Sequence, residues 1–358
     1  MNRLGSYIVT GVLKGTALVV FALVAVGSVI EFVGQLDDVG VASYELTDAL
    51  LFVALRIPHN LFDALPAATL IGALLGLGNM AVHRELIIMR TSGVSQYQLL
   101  GAVGAAGIVL LVVMLLLGES LAPSLSAYAR KARADALLED VDTALARSTW
   151  FKEGDRIINL RGPRSAEGFN QSVRVFELDG DIALGLVAEA DSVMMLSSDS
   201  EIWEMFDYAE TSFDDSGTRA VRLASVPQDY GLSPELLELS DVREDLLDTP
   251  ALNDYISYLQ DNGLDASRYL AAYWGRIANG ASVVLMAILA LPFVLGGLRS
   301  AGTGARMIVG LVIGLGYYVL VRLSAQIGDV FAIDPVVAAW APGGLLSVAT
   351  LLALLRLR

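Results

Sequence analysis

A six-span α-helical membrane protein with an inserted all-β domain is the fold class this sequence predicts, on three observations. The 358 residues are 55% hydrophobic and only 18% charged, with a mean hydropathy of +0.59, outside the range of ordinary soluble domains. Six segments approach the roughly 20 mainly apolar residues that a helix needs to cross a hydrocarbon core about 30 Å thick. Three precede and three follow a hydrophilic block in which β-branched and aromatic runs alternate with turn residues.

In order, the spans are expected at 15–33, 61–82, 99–121, 277–298, 307–327 and 336–355. The first lies behind Arg3 and Lys14 and is longer than the apolar core of a signal peptide, which makes it an uncleaved span. Basic residues in short loops mark the cytoplasmic side. Arg3 and Lys14, Arg84 and Arg90, Arg299 and Arg306, and Arg356 and Arg358 all fall on one side. The opposite connections carry Glu31, Asp37, Asp38, Glu45 and Asp48 against Arg56, and then Asp329 with Asp334. Both termini are therefore expected in the cytoplasm and the hydrophilic block outside. The domain division is 1–125 for the first three spans, with a cytoplasmic helix at 82–95, then 126–270 for the β-domain and 271–358 for the last three spans.

The formal charge of −15 belongs to the block: residues 122–272 hold 29 acidic and 13 basic residues, and the remainder of the chain is close to neutral. A solvated acidic surface accounts for this more simply than an acidic recognition face. Strand-like runs recur at TWFK, RIINL, VRVFEL, VMML, IWEMF and RAVRLASV between Thr149 and Val226, a spacing that suits a sandwich or jelly-roll. From 232 to 263 the pattern turns helical, with Ser233-Pro234-Glu235 and Thr249-Pro250 each placing proline where a first helical turn accepts it. The sequence has no cysteine, so it has neither disulfides nor a thiolate metal site.

Enzymatic chemistry finds no foothold in this pattern. The sequence contains no GxxxxGK[ST] run, so it has no nucleotide-binding loop of its own. Gly72, Gly76 and Gly78 sit inside an apolar helix, where close helix packing explains them better than phosphate binding. His59 and His83 fall on opposite sides of the expected membrane, and no hydrolase or metalloprotease motif is present. The stretch 81–98, AVHRELIIMRTSGVSQYQ, is semi-polar, with Arg84, Glu85 and Arg90 around an apolar run and Gly93 able to end a helix. It reads as an interfacial helix, either a connecting elbow or a coupling helix that docks on a separate ATPase. Cations beside the spans form a second constellation: Arg130, Lys131 and Arg133 after the third, Arg56 before the second, Arg276 opening the fourth and Arg322 within the fifth. Charges at such depth face a bundle interior or wet cavity, or snorkel to the head groups. An anionic amphiphile would use them through charge-assisted hydrogen bonds.

Two colinear motifs resemble a known family. GALLGLGNMAVHRELIIMRTSGVS at 72–95 is similar to the second span and coupling helix of the lipopolysaccharide-export permeases, and GGLRSAGTGARMIVG at 296–310 to their fourth-to-fifth connection. Of the two kinds in that family, F and G, these motifs and Ser267-Arg268-Tyr269 leading to Trp274 resemble the G type. The resemblance spans nearly the whole chain. It implies a permease that takes lipopolysaccharide from the outer leaflet of the bacterial inner membrane and passes it through the jelly-roll to a membrane-anchored periplasmic bridge protein. An F-type permease would be its heterodimer partner, with the first and fifth spans as gates, and a cytoplasmic ABC ATPase homodimer would bind the ATP and Mg. Glu85 would match the glutamate that engages the ATPase, Arg130 and Arg133 the lipid-holding cations, with Lys131 beside them, and Asp37 an acidic position beyond the first span. Glu31 departs from the pattern, standing where the G type often carries a lysine. Either the lipid is modified or its phosphate contact has moved to Arg130 and Arg133. The alternatives are a permease of another lipid or lipoprotein exporter, and a membrane-anchored envelope sensor, for which the cytoplasmic loops are too short to supply an output domain.

Overall fold

The computed structural model describes residues 3–137, 148–161, 172–179, 183–195, 202–214, 217–229, 247–296, 302–331 and 333–355. Ser233-Pro234-Glu235, Arg299, Arg356 and Arg358 lie outside them. The chain divides into a helical unit, Met1–Arg133 with Glu244–Leu252 and Ala266–Arg358, and a β unit, Ala134–Arg243 with Asn253–Asp265.

Among the described residues, six helices are long and apolar enough to cross a membrane, three on each side of the strands in sequence. In chain order the helices begin with α1 (Arg3–Gln35), α2 (Leu46–Val82), the short α3 (Glu85–Thr91), which is not one of the six, and α4 (Gln96–Leu116). A π-helical turn, Leu117–Leu121, carries α4 into α5 (Ala122–Leu137). The chain returns through α6 (Thr249–Asp261), α7 (Ser267–Leu295), α8 (Thr303–Val330) and α9 (Pro335–Leu355). Two helices overrun the hydropathy expectation. α2 begins 15 residues before position 61 because Glu45 and Asp48 form a capping box there, the Glu45 N–H donating to Asp48 Oδ2 at 2.8 Å. Charge on 46–60 lowers hydropathy but does not interrupt helical hydrogen bonding. The third span likewise continues through its π turn, so Arg130, Lys131 and Arg133 stand on a helix rather than in a loop.

α2 and α7 form the middle of the bundle. Leu70, Leu74 and Leu77 of α2 pack with Ile8 and Val12 of α1, Val103 and Ala106 of α4, and Met286, Ala290 and Val294 of α7. Between lipid-bathed helices the hydrophobic effect is weak, so close backbone approach and van der Waals contact hold the pairs. α1 and α2 show the means: a Cβ at Gly15 would fall on the Gly72 carbonyl, and one at Gly76 on the Gly11 carbonyl. Two i, i+4 glycine pairs therefore interlock, of which only the α2 pair drew attention in the sequence. Large apolar side chains of α1 and α8 remain exposed on this chain, among them Phe21, Val29, Ile30, Ile308, Val312 and Leu315.

The β unit is one antiparallel sheet of β1 (Ser148–Glu153), β2 (Arg156–Arg161), β3 (Ser172–Asp179), β4 (Ala183–Ala190), β5 (Ser192–Met195), β6 (Ile202–Asp214) and β7 (Gly217–Asp229). Strands β1 to β4 pair in sequence as a meander, with register Phe151↔Ile158, Ile158↔Val175 and Val175↔Ala188. β4 and β5 share one edge of β6, meeting Ala209–Ser212 and Trp203–Phe206 respectively, and β7 takes the other edge. The exchange falls at Asp207, whose φ of +52° bends the strand. Alternate residues point to one core: Val173 and Val175, Ala188 and Ala190, Trp203 and Met205. Tyr258 of α6 packs against it and donates its hydroxyl to the Lys152 carbonyl at 2.9 Å. Burial raises the Tyr258 phenol above its ordinary pKa, a shift opposed by the Lys152 N–H, which donates to the same oxygen at 3.2 Å. β4, ALGLVAEA, was not expected, since its alanines and glycine carry little strand propensity and only its pairing defines it.

Candidate functional site

Two polar loci occupy opposite ends of the α1–α2 pair. At one end, α2 stops and Arg84, in the left-handed region at φ +62°, turns the chain into α3. A Schellman motif ends α3: the Val94 N–H donates to the Met89 carbonyl and the Gly93 N–H to that of Arg90, both at 3.1 Å, with Gly93 at φ +95°. Ser95 then starts α4 by capping with Gln98. Leu86 and Met89 are buried, whereas Ile88, Arg84 and Arg90 face outward, so the elbow is an amphipathic turn seated on the bundle. A cavity of about 320 Å³ lies beside it, lined by Ala81, Leu86, Ile87, Arg90 and Val294. Glu85 is not a lone outward charge: Tyr7 of α1 donates its hydroxyl to Glu85 Oε2 at 2.9 Å. Close by, Arg306 is only 1% exposed and lies across Gly78, where a Cβ would sit 2.9 Å from its guanidinium carbon. The sequence presented Arg306 as a loop cation and Gly78 as part of a packing stripe, and the structure joins them between α8 and α2.

At the other end, the end of α1 with the 3-10 turn Leu36–Asp38 that follows it, the early turns of α2 and the fourth turn of α5 converge. Glu31 Oε1 pairs with Arg56 Nε at 2.7 Å, and Asn60 Nδ2 donates to Glu31 Oε2 at 2.6 Å. Arg133 Nη2 donates to Asp38 Oδ2. Phe52 meets both cations, its ring centre 5.7 Å from the Arg56 guanidinium and 5.8 Å from that of Arg133. Tyr44, buried beneath, donates to Gln35 Oε1 at 3.2 Å. Burial pushes its hydroxyl above the usual phenol pKa, and the Arg133 charge opposes this. Arg130 is half-buried on the face of Arg133, while Lys131 points outward from the next position. Asp37 is exposed, and its neighbour Asp38 makes the ion pair.

Two cations stand apart from this locus. Arg276 Nη2 donates to the Leu247 carbonyl at 2.6 Å, and its Nη1 reaches Thr249 Oγ1 at 3.5 Å. Thr249 in turn gives both its hydroxyl, at 2.6 Å, and its N–H, at 3.1 Å, to Glu119 in the π turn. Arg322 pairs with Asp63 of α2 at 3.6 Å and stacks on Tyr318 at 5.4 Å. Sequence reasoning passed over Phe52, Asn60, Asp63 and Glu119. Phe52, Arg56 and Asn60 are spaced i, i+4, i+8 and mark one helix face once α2 is known to start at Leu46. Glu119 was legible as a single carboxylate in an otherwise apolar run.

Six spans, an amphipathic elbow at one end of the bundle and a cluster of paired cations at the other define a multi-pass membrane protein of the permease kind. The chain matches the family model for the lipopolysaccharide export system permease LptF/LptG over residues 6–356, and it belongs to that family. It is 29% identical over 342 residues to the lipopolysaccharide export system permease protein LptG of Haemophilus influenzae, covering 96% of this chain and 95% of that one. To the protein of the same name from Escherichia coli K12 it is 28% identical over 357 residues, with 99% and 98% covered.

Proposed function

We propose that this chain is the G-type permease subunit of an ABC exporter that extracts lipopolysaccharide from the outer leaflet of the bacterial inner membrane. The observation that carries the reading is the placement of the two loci on one helix pair. The elbow suits an ATPase contact, and the Glu31, Asp38, Arg56 and Arg133 cluster suits a phosphorylated head group. Both termini and the elbow would face the cytoplasm, with the β unit in the periplasm. A cytoplasmic ATPase homodimer would bind ATP and Mg. Its contact with Arg84, Glu85 and Arg90 would move α1 through the Tyr7 bond and α8 through the Arg306–Gly78 contact. The exposed apolar faces of α1 and α8 suit an F-type permease as heterodimer partner, with the lipid entering between the two and leaving to a membrane-anchored periplasmic bridge. Arg130, Arg133 and, nearer solvent, Lys131 would meet its phosphates. Gly72 and Gly76 would hold α1 on α2 during the cycle, while Arg276 and Arg322 would tie the fourth and fifth spans to their neighbours.

Reconstitution tests this reading. The chain should co-purify with an ATPase and a second six-span subunit, and the complex should release lipopolysaccharide from vesicles to a soluble bridge protein only when ATP is present. ATP hydrolysis by the isolated chain, or lipid release without ATP, would overturn it.

A further inference from the structure

Glu31 departs from the resemblance at a position where a carboxylate should repel a phosphate, yet both of its oxygens are engaged, one by Arg56 and one by Asn60. The charge at the end of α1 is therefore cancelled by a cation from α2. Arg56 reaches Glu31 through Nε, 2.7 Å from Oε1 as an ion pair outside hydrogen-bond geometry, and no hydrogen bond joins its guanidinium to a described residue. Its side chain is 17% exposed, so these donors are neither sealed in the core nor free in solvent. Phe52, 6% exposed, holds the Arg56 guanidinium over its ring and that of Arg133 over the same ring. Arg133 is also half-neutralised, with one amino group on Asp38. The Glu31 and Asp38 carboxylates balance the charges of the two guanidinium groups, so what the locus offers an anion is the guanidinium N–H donors these pairs leave unused. A phosphate monoester, with three acceptor oxygens and up to two charges, fits the remaining donors better than a further carboxylate would.

We propose that Arg56, oriented by Glu31, Asn60 and Phe52, is a contact for the phosphate of an amphiphile's head group, acting beside Arg133. Span 2 thus supplies the cation that span 1 lacks, and Glu31 is a positioning residue. The inference rests on the lipid-export reading above. It adds the assignment of Arg56 and reverses the sign expected for Glu31.

The experiment uses the complete complex of this chain with its partner permease and ATPase. Lipopolysaccharide retained per complex is measured by native mass spectrometry, with fully phosphorylated lipid and with lipid stripped of its phosphates by phosphatase. Glu31→Ala/Arg56→Ala removes the pair without changing net charge. It should lower retention of the phosphorylated lipid about tenfold, the worth of one charge-assisted hydrogen bond, and leave the stripped lipid unaffected. Arg56→Lys, which keeps the cation but loses the planar fork, should fall between the double variant and wild type. Glu31→Ala should change retention in the Arg56 background and leave it unchanged in the Arg56→Ala background, because Glu31 acts through Arg56. Wild-type retention by the double variant would overturn the assignment, as would equal gains from Glu31→Ala in both backgrounds. Displacement of the lipid by millimolar inorganic phosphate would also overturn it, by making the locus a site for free phosphate. If Arg133→Ala loses the phosphorylated lipid while the double variant keeps it, the export reading stands and this inference alone fails. If wild type retains no phosphorylated lipid, both fail.

Discussion

Replacing Gly76 with alanine tests the α1–α2 interlock on which both loci depend. The new Cβ would lie 2.8 Å from the Gly11 carbonyl carbon and 3.1 Å from the Val12 nitrogen. Carbon atoms in contact prefer about 3.5 to 4.0 Å, so the helix backbones must separate by roughly 0.7 Å or more. Backbone cannot rotate away as a flexible side chain can. The separation also loosens Ile8 and Val12 against Leu70, Ala73 and Leu77. Overpacking of this kind costs about 1 to 3 kcal/mol, against which alanine returns up to about 1 kcal/mol of helix propensity. Gly101→Ala supplies the control: it is also helical and has no atom within 4 Å of the added methyl, so it gains the propensity without the clash. Thermal unfolding of the purified complex, followed by intrinsic fluorescence, should place Gly76→Ala below Gly101→Ala by about 2 to 6 °C, taking about 2 °C per kcal/mol for a chain of this size. ATP-driven lipid release should fall in the same variant. Equal midpoints would refute the close crossing of the two helices.

The remaining predictions concern single polar contacts. Glu85→Ala should insert normally and recover less ATPase in pull-down, whereas Tyr7→Phe should retain the ATPase but lower ATP-driven lipid release; normal release in both would remove the elbow from the coupling path. Arg133→Glu sets a second carboxylate beside Asp38 and should lower lipid-stimulated ATP hydrolysis, with unchanged stimulation counting against its lipid contact. Glu119→Ala removes both acceptors of Thr249, a loss of about 1 to 3 kcal/mol, and should speed amide exchange at Thr249 on mass-spectrometric readout. Exchange at the wild-type rate would show the contact to be incidental. Gly93→Ala forces a Cβ onto φ +95° and should weaken the elbow by about 1 kcal/mol, seen as faster proteolysis between α3 and α4.

Hydropathy and glycine placement carried the sequence reading because their causes are local. A stretch of apolar residues long enough to cross a bilayer has few other uses, and Gly93 ends α3 through its own backbone freedom. The runs TWFK, RIINL and VRVFEL likewise became β1, β2 and β3 through alternation that is visible in one strand. Strand β4 was missed because its alanines acquire meaning only from Val173 and Val175 across the ladder. The start of α2 was missed because a capping box outweighs hydropathy there.

Six spans, the inserted strands and the family motifs were thus determined by the sequence itself. Charge pairing was decided by the tertiary structure. Glu31 is 25 residues from Arg56, and Asp38 is 95 from Arg133, separations at which no periodicity operates. In the sequence Glu31 is an isolated carboxylate that should repel phosphate, and Asp37 and Asp38 are interchangeable. In the fold one helix crossing brings Arg56 to Glu31, and the approach of α5 selects Asp38 over Asp37. Coulomb interaction depends on distance through space, and only the packing of α1, α2 and α5 sets that distance.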